Sequence, residues 1–254
     1  EFIGKFFEGQ EDVKLVNLRS YIGIPIDLAR FQGFSDVIKN YPNTPQGIEA
    51  RFDLGLTQSQ LRRFEEARFT FQNFALAFPE HPKAPEAWWN VAEAYASLGN
   101  TKEAAQSDER VKTFHPRSTL APAALRRAGE FHLVAGDTAE AVRVLRALTQ
   151  DYASSAEVAA ARIGLASIYL RQGQAELARG ETRRIVDVST DRDVVPSALL
   201  LLGSALRELG QLQESRDALQ RIAREYPTAL SSSPARLLLG EVQQELGDLG
   251  EAER

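Results

Sequence analysis

The residues that could support acid–base, nucleophilic or metal chemistry are few in this sequence and form no known catalytic arrangement. The 254 residues include three histidines and no cysteine, which excludes disulfides, thiolate zinc sites and cysteine nucleophiles. His81 and His115 fall in predicted loops, and His132 lies on a predicted helix face. There is no glycine-rich phosphate loop, no nucleophile elbow and no histidine pair at metal-binding spacing. The sequence therefore predicts no catalytic residue, no metal ligand and no cofactor site.

A different set of residues has the chemistry of peptide recognition. It consists of two aromatic residues, one arginine and four glutamates, namely Glu49, Phe52, Glu86, Trp89, Glu93, Arg126 and Glu130. A large aromatic side chain near carboxylates can anchor a bound peptide. Phe52, Trp89 and Arg126 follow one another at intervals of 37 residues. The elements that position them must therefore recur at that spacing.

The whole sequence repeats with this period. Five glycines lie 37 residues apart: Gly99, Gly136, Gly173, Gly210 and Gly247. Six alanines keep the same spacing: Ala50, Ala87, Ala124, Ala161, Ala198 and Ala235. A third set holds only small residues: Gly55, Ala92, Gly129, Ala166, Gly203 and Gly240. A fixed period with small residues at fixed places is typical of stacked helical repeats.

Each unit contains two amphipathic stretches of about 13 residues with apolar positions at helical spacing. The glycine between them permits the left-handed conformation that ends a first helix. Aromatic-proline pairs end the second helix at Tyr41-Pro42, Phe78-Pro79 and Tyr226-Pro227. The unit is therefore predicted to be a helix, a turn and a second helix.

The pattern resembles the tetratricopeptide repeat family. In one unit the resemblance is carried by Trp88, Val91, Ala92, Tyr95, Gly99, Ala104, Val111 and Pro116. The unit is longer than the family's usual one, and such longer units resemble bacterial envelope proteins of the outer-membrane assembly lipoprotein and Tol-Pal coordinator type. Those proteins also have an aromatic-proline pair followed by small residues, as in residues 41–45.

The resemblance implies an all-α fold, a right-handed superhelical solenoid of antiparallel helix hairpins whose first helices line a concave groove. All seven candidates lie on predicted first helices, which makes the amino-terminal half of the groove acidic. Trp88 matches the family's structural position, so Trp89 points about 100° away, toward the groove. Packing against the next unit is the alternative for Phe52 and Trp89. It is the favoured interpretation for three residues at the same spacing, Ile163, Leu200 and Leu237.

The predicted organisation is a non-repeat segment, residues 1–10, followed by a single solenoid over residues 11–254. Its units are 11–47, 48–84, 85–121, 122–158, 159–195, 196–232 and a partial unit 233–254. The partial unit stops inside a second helix, and an array that stops there leaves an apolar face uncovered. We therefore expect further residues of a longer parent protein at this end.

The family's basic clamp, which grips the terminal carboxylate of chaperone peptides, is not expected here. The matching positions are Phe52, Leu56, Trp89, Glu93, Arg126 and Glu130. Only Arg126 has the required charge, so capture of a terminal carboxylate on this pattern is not predicted.

Net charge and hydropathy argue against nucleic acid as a partner and against a membrane-spanning segment. The net charge of −5 gives no basic footprint for nucleic acid, and no apolar run approaches the ~20 residues of a membrane span. We expect a non-catalytic scaffold or adaptor that binds other proteins or peptides. A subunit of a bacterial envelope assembly, periplasmic or envelope-associated, is the favoured interpretation. A cytoplasmic peptide-binding adaptor or co-chaperone without the clamp is the alternative, and an enzyme is a distant third.

Overall fold

The computed structural model describes residues 26–247. The predicted non-repeat segment 1–10, the first part of unit 11–47 and the last residues of the partial unit, 248–254, lie outside the described residues. Within them the chain forms helices and no β-strand, which confirms the all-α prediction. None of these helices combines the length and the apolar composition that crossing a bilayer requires.

The chain divides into two compact units, Glu1–Ala121 and Pro122–Arg254. The helices of the first are α1 (Ile26–Asn40), α2 (Pro45–Gln60), α3 (Phe64–Ala77), α4 (Ala84–Ser97) and α5 (Thr101–Phe114). From the boundary onward follow α6 (Ala121–Val134), α7 (Thr138–Asp151), α8 (Glu157–Arg171), α9 (Ala175–Val186), α10 (Val195–Glu208), α11 (Leu212–Glu225) and α12 (Ser232–Glu245).

Turns with a left-handed residue separate the two helices of each hairpin. The five glycines at 37-residue spacing all have positive φ, between 68° and 82°. Arg62 takes the same place between α2 and α3 with φ of 59°, the one non-glycine residue with positive φ in residues 26–247. Side chains other than glycine pay a steric cost in this region. The glycine spacing therefore marks the hairpin turns.

Aromatic rings fill the core of the first compact unit. The ring of Phe52 on α2 makes edge contacts with Phe71 and Phe74 on α3, with centroid separations of 5.3 and 5.4 Å. Trp88 on α4 stacks against Phe114 on α5 at 5.9 Å. A Cβ atom at Gly55 would lie 2.7 Å from the ring of Phe71, so the small residue lets α2 and α3 approach closely.

Leucine and isoleucine side chains fill the core between α10, α11 and α12 in the second compact unit. Its buried members include Leu199, Leu202, Leu206, Leu219, Ile222 and Val242. A Cβ atom at Gly203 would lie 2.7 Å from Leu219. Gly203 therefore has the same packing role in the second unit as Gly55 has in the first, whereas Gly240 has no neighbour within 4 Å of the place of its Cβ. Thr182 replaces a large apolar residue on α9 and is buried with its hydroxyl donating to the Ala178 carbonyl oxygen at 2.9 Å.

Candidate protein-binding surface

The seven candidate residues all lie on first helices of hairpins. Glu49 and Phe52 are on α2, whereas Glu86, Trp89 and Glu93 are on α4; Arg126 and Glu130 are on α6. The first five belong to one compact unit and the last two to the other.

Phe52 does not belong to the candidate surface. Its side chain is only 1% exposed, because Phe71 and Phe74 of α3 enclose its ring. A partner cannot contact a side chain at this depth, so the prediction that Phe52 contributes to binding is wrong. Its ring contacts come from its own hairpin, whereas the alternative was packing against the next unit.

Trp89 lies between two exposed carboxylates on one face of α4. Glu86, Trp89 and Glu93 are separated by three and four residues, the spacing that places side chains on the same side of a helix. Trp89 is half-buried, while both glutamates are exposed. This face, defined by these three residues and called the α4 face below, joins a large aromatic surface to negative charge.

Glu49 is the centre of a charge cluster formed by α2 and the loop before α4. Its carboxylate accepts a hydrogen bond from Lys83 Nζ, and its Oε1 lies 3.3 Å from His81 Nε2. Lys83 also lies 4.8 Å from the centroid of the Phe52 ring. Burial raises the pKa of nearby Asp53, and the Glu49 charge adds to this rise although Lys83 opposes it. Glu49 is thus an internal ion-pair partner as well as a surface residue.

Arg126 is engaged by two carboxylates. Its Nε donates to Glu157 Oε2 of α8 at 2.6 Å, and its Nη1 donates to Glu130 one helical turn away. Burial acts to lower the pKa of Arg126, but the hydrogen bonds and charges of Glu157 and Glu130 outweigh it and raise the pKa. The guanidinium therefore fixes α6 to α8.

The repeat pattern is that of a known family. Family models described as tetratricopeptide repeat match residues 52–124, 126–192, 197–229 and 233–254, and a single model accounts for the first two ranges, more than half of the chain. The chain belongs to the tetratricopeptide repeat family. Such repeats stack into protein-interaction scaffolds with extended binding surfaces.

Solved structures with the same fold include other tetratricopeptide repeat proteins. BtubC (BKLC) from P. vanneervenii is 14% identical, with a TM-score of 0.55 over 82% of this chain and 90% of that one. PilF from Pseudomonas aeruginosa is 17% identical, with a TM-score of 0.55 over 81% and 87%. PilW, described as a widely conserved type IV pilus biogenesis factor, is 18% identical, with a TM-score of 0.53 over 83% and 90%. A comparison with curated proteins finds no match.

The ion pairs of Arg126 affect whether it could bind the terminal carboxylate of a peptide, as the basic clamp of other tetratricopeptide repeat proteins does. Arg126 is the one residue at the clamp positions with the required charge, and both Glu130 and Glu157 already accept its hydrogen bonds. A terminal carboxylate would have to displace two carboxylates of the protein itself.

The 37-residue sets did not predict the charged side chains that link one first helix to the next. Lys83 and Glu157 each follow a candidate position, Phe52 and Arg126 respectively, by 31 residues, and each contacts that candidate. A search for complementary side chains 31 residues apart could have predicted these contacts from the sequence. The pairing could not be read from the 37-residue sets alone, because each set collects equivalent positions and not contacting ones.

A second polar site lies on first helices α10 and α12. Arg207 of α10 pairs with Glu241 and Glu245 of α12, the latter at 2.6 Å. The hydrogen bond to Glu245 raises the pKa of Arg207. A pocket of about 390 Å³ beside this pair is lined by Ser204, Arg207, Glu208, Leu238 and Glu245.

Leu237 lies on α12 and is 70% exposed. Its predicted packing against a following unit concerns residues outside the described range and stays a prediction. Ile163 and Leu200 are half-buried, and Leu200 packs against the core shared by α10 and α11.

Proposed function

We propose that this tetratricopeptide repeat protein is a non-catalytic scaffold that holds a segment of a partner protein on the α4 face. The observation that carries the proposal is the placement of Trp89 between the exposed carboxylates of Glu86 and Glu93. The indole offers a large contact area at small entropic cost. The two carboxylates favour a partner segment in which a basic residue accompanies an apolar side chain.

The test is affinity purification from the native source with quantitative mass spectrometry. Wild-type protein and Trp89→Ala are compared with a control, Glu103→Gln, which changes an exposed charge on a different helix, α5. We expect at least one protein to be retained by the wild type and the control and to be depleted about tenfold by Trp89→Ala. Equal retention by all three, with equal thermal unfolding, would refute the proposal.

The rate of association tests the role of the two carboxylates. With a captured partner in hand, Glu86→Gln combined with Glu93→Gln is expected to slow association and to weaken its dependence on salt, because surface charges act mainly on the encounter rate. Dissociation should change little. An unchanged association rate would mean that the carboxylates do not contribute.

We propose a bacterial envelope setting for this scaffold. The support is the 37-residue unit, which resembles envelope repeat proteins, and the shared fold with a protein described as a type IV pilus biogenesis factor. Fractionation of native cells with an antibody against the chain tests the setting. Recovery with the periplasm or envelope is expected, whereas recovery in the cytoplasm would favour the alternative, a cytoplasmic adaptor.

A further inference from the structure

A pocket that the α4 face does not use lies among α1, α2 and α3. It has a volume of about 300 Å³. Its lining is mainly carbon, and the principal side chains are Ile38, Leu54, Phe69, Phe74 and Phe78, with Arg51 as the one charged residue. The lining residues come from α1, α2, α3 and the residue that follows α3, so the elements that form the pocket are different from the one that carries Trp89.

The helix beside this pocket exposes large apolar side chains. Phe69 is 60% exposed and Leu76 is 59% exposed. They are seven residues apart on α3, which places them on the same side of the helix two turns apart. An apolar pocket next to such a pair is typical of a surface that another molecule covers.

Arg51 brings to the pocket a guanidinium that pairs with no carboxylate of the described residues. Its Nη2 donates to the Pro42 carbonyl oxygen at 3.3 Å, and its guanidinium lies 6.0 Å from the centroid of the Phe78 ring. Among residues 29–247 its side chain has no carboxylate partner, and its buried Nε has no acceptor. On neighbouring α3 and its N-cap, by contrast, Arg63 and Arg68 are each paired with a glutamate.

We propose that this pocket, called the α1–α3 pocket below, binds a peptide segment that joins a large apolar side chain to a carboxylate. The apolar side chain enters between Phe69 and Phe78, and the carboxylate pairs with the guanidinium of Arg51. The volume suits one or two side chains and not a long acyl chain. Phe69 and Leu76 extend the apolar surface along α3, as a peptide contact needs. The required ligand is acidic, opposite in charge to the one proposed for the α4 face.

The first test is selection from a displayed library of random peptides on immobilised full-length protein, with Phe69→Ala as the counter-selection. Phe69 is exposed, so its replacement should leave thermal unfolding unchanged. We expect enriched peptides to share a large apolar residue close to Asp or Glu. No enrichment over the Phe69→Ala protein, or enrichment of basic peptides, would overturn the proposal.

The second test measures the charge pair by fluorescence anisotropy with the most enriched peptide as probe. Arg51→Gln is expected to weaken binding about tenfold and to have no such effect on a probe whose acidic residue is replaced by its amide. Equal losses for both probes would show that Arg51 acts through the fold and would overturn the proposal.

Two control variants test whether binding is confined to the α1–α3 pocket. Leu177→Ala removes an exposed leucine of α9 and should leave probe binding unchanged, as should Trp89→Ala. Sedimentation of the wild type and Phe69→Ala tests self-association. If Phe69→Ala dissolves an oligomer of the wild type, the pocket is covered by a second copy and the peptide proposal is wrong.

Discussion

Asp53 is a carboxyl group whose burial raises its pKa against the net effect of the charges beside it. Burial raises its pKa from the ordinary value of 3.8, and the Lys83 ammonium, 4.0 Å from Asp53 Oδ1, does not cancel this effect. Lys83 is held by the closer carboxylate of Glu49. The folded protein therefore binds a proton at Asp53 more readily than the unfolded chain does.

The pH dependence of stability follows from this shift. A raised pKa in the folded state contributes stability that is fully present below 3.8 and is lost as the pH rises through the folded value. Asp53→Asn should therefore be more stable than the wild type at neutral pH, by ~0.5 kcal/mol because the group is partly exposed, and the gain should vanish below the ordinary pKa.

Urea unfolding of both proteins across this pH range provides the measurement. Glu49→Gln is the matched control, since it removes the closer partner of Lys83 and should lower the free energy of unfolding. An Asp53→Asn protein less stable than the wild type at neutral pH would show that the attraction to Lys83 dominates.

Single positions show how far the sequence determines the site. Phe52, Trp89 and Arg126 are equivalent in the repeat, yet Phe52 is in the core, Trp89 is half-buried and Arg126 is ion-paired. The period predicts the direction of a side chain from its helix. It does not predict depth, because burial depends on residues of other helices, here Phe71 and Phe74 around Phe52.

At the scale of the element, hairpin geometry depends on small residues at helix contacts. Gly203 of α10 faces Leu219 of α11 so closely that an added Cβ atom would lie 2.7 Å from its side chain. Gly180 is exposed within α9, and nothing lies within 4 Å of the place of its Cβ. The same substitution at these two glycines should have opposite effects.

We expect Gly203→Ala to lower the free energy of unfolding by ~1–2 kcal/mol, since the new methyl group forces α10 and α11 apart. Gly180→Ala should raise it by ~0.5–1 kcal/mol through helix propensity alone. Chemical unfolding monitored by circular dichroism measures both. A stabilising Gly203→Ala would mean that Leu219 can move aside without loss of packing.

The helices were the most predictable part of the fold. The turn glycines with positive φ and the aromatic-proline pairs lie at the ends of the observed helices, because backbone constraints act within a few residues. Arg62 shows the limit of this signal, since it takes the left-handed conformation without being a glycine. Its place was recognisable only from the 37-residue spacing.

At the scale of the whole molecule, we propose that residues 11–254 form one array of repeats. In such an array each hairpin is stabilised mainly by its nearest neighbours. A core substitution should therefore loosen the chain locally. Leu219→Ala removes a buried side chain shared by α10 and α11 and should cost ~2–5 kcal/mol.

Hydrogen exchange followed by mass spectrometry shows which helices lose amide protection in Leu219→Ala. Amide protection should fall most in α10, α11 and α12 and less in α8. A uniform loss over all described helices of the second compact unit would show that it unfolds as one block.

The ion pairs between first helices have a consequence for how a repetitive chain finds its correct register. Lys83 and Glu157 are equivalent positions with opposite charges, and each contacts the hairpin before it, through Glu49 and Arg126 respectively. Suppose that the hairpin starting with α4 packed in the place of the hairpin starting with α8. Lys83 would then lie next to Arg126, and two positive charges would be in contact. The charges at these equivalent positions thus distinguish one hairpin from another. Pairing of the wrong hairpins brings like charges together, and their repulsion disfavours that arrangement.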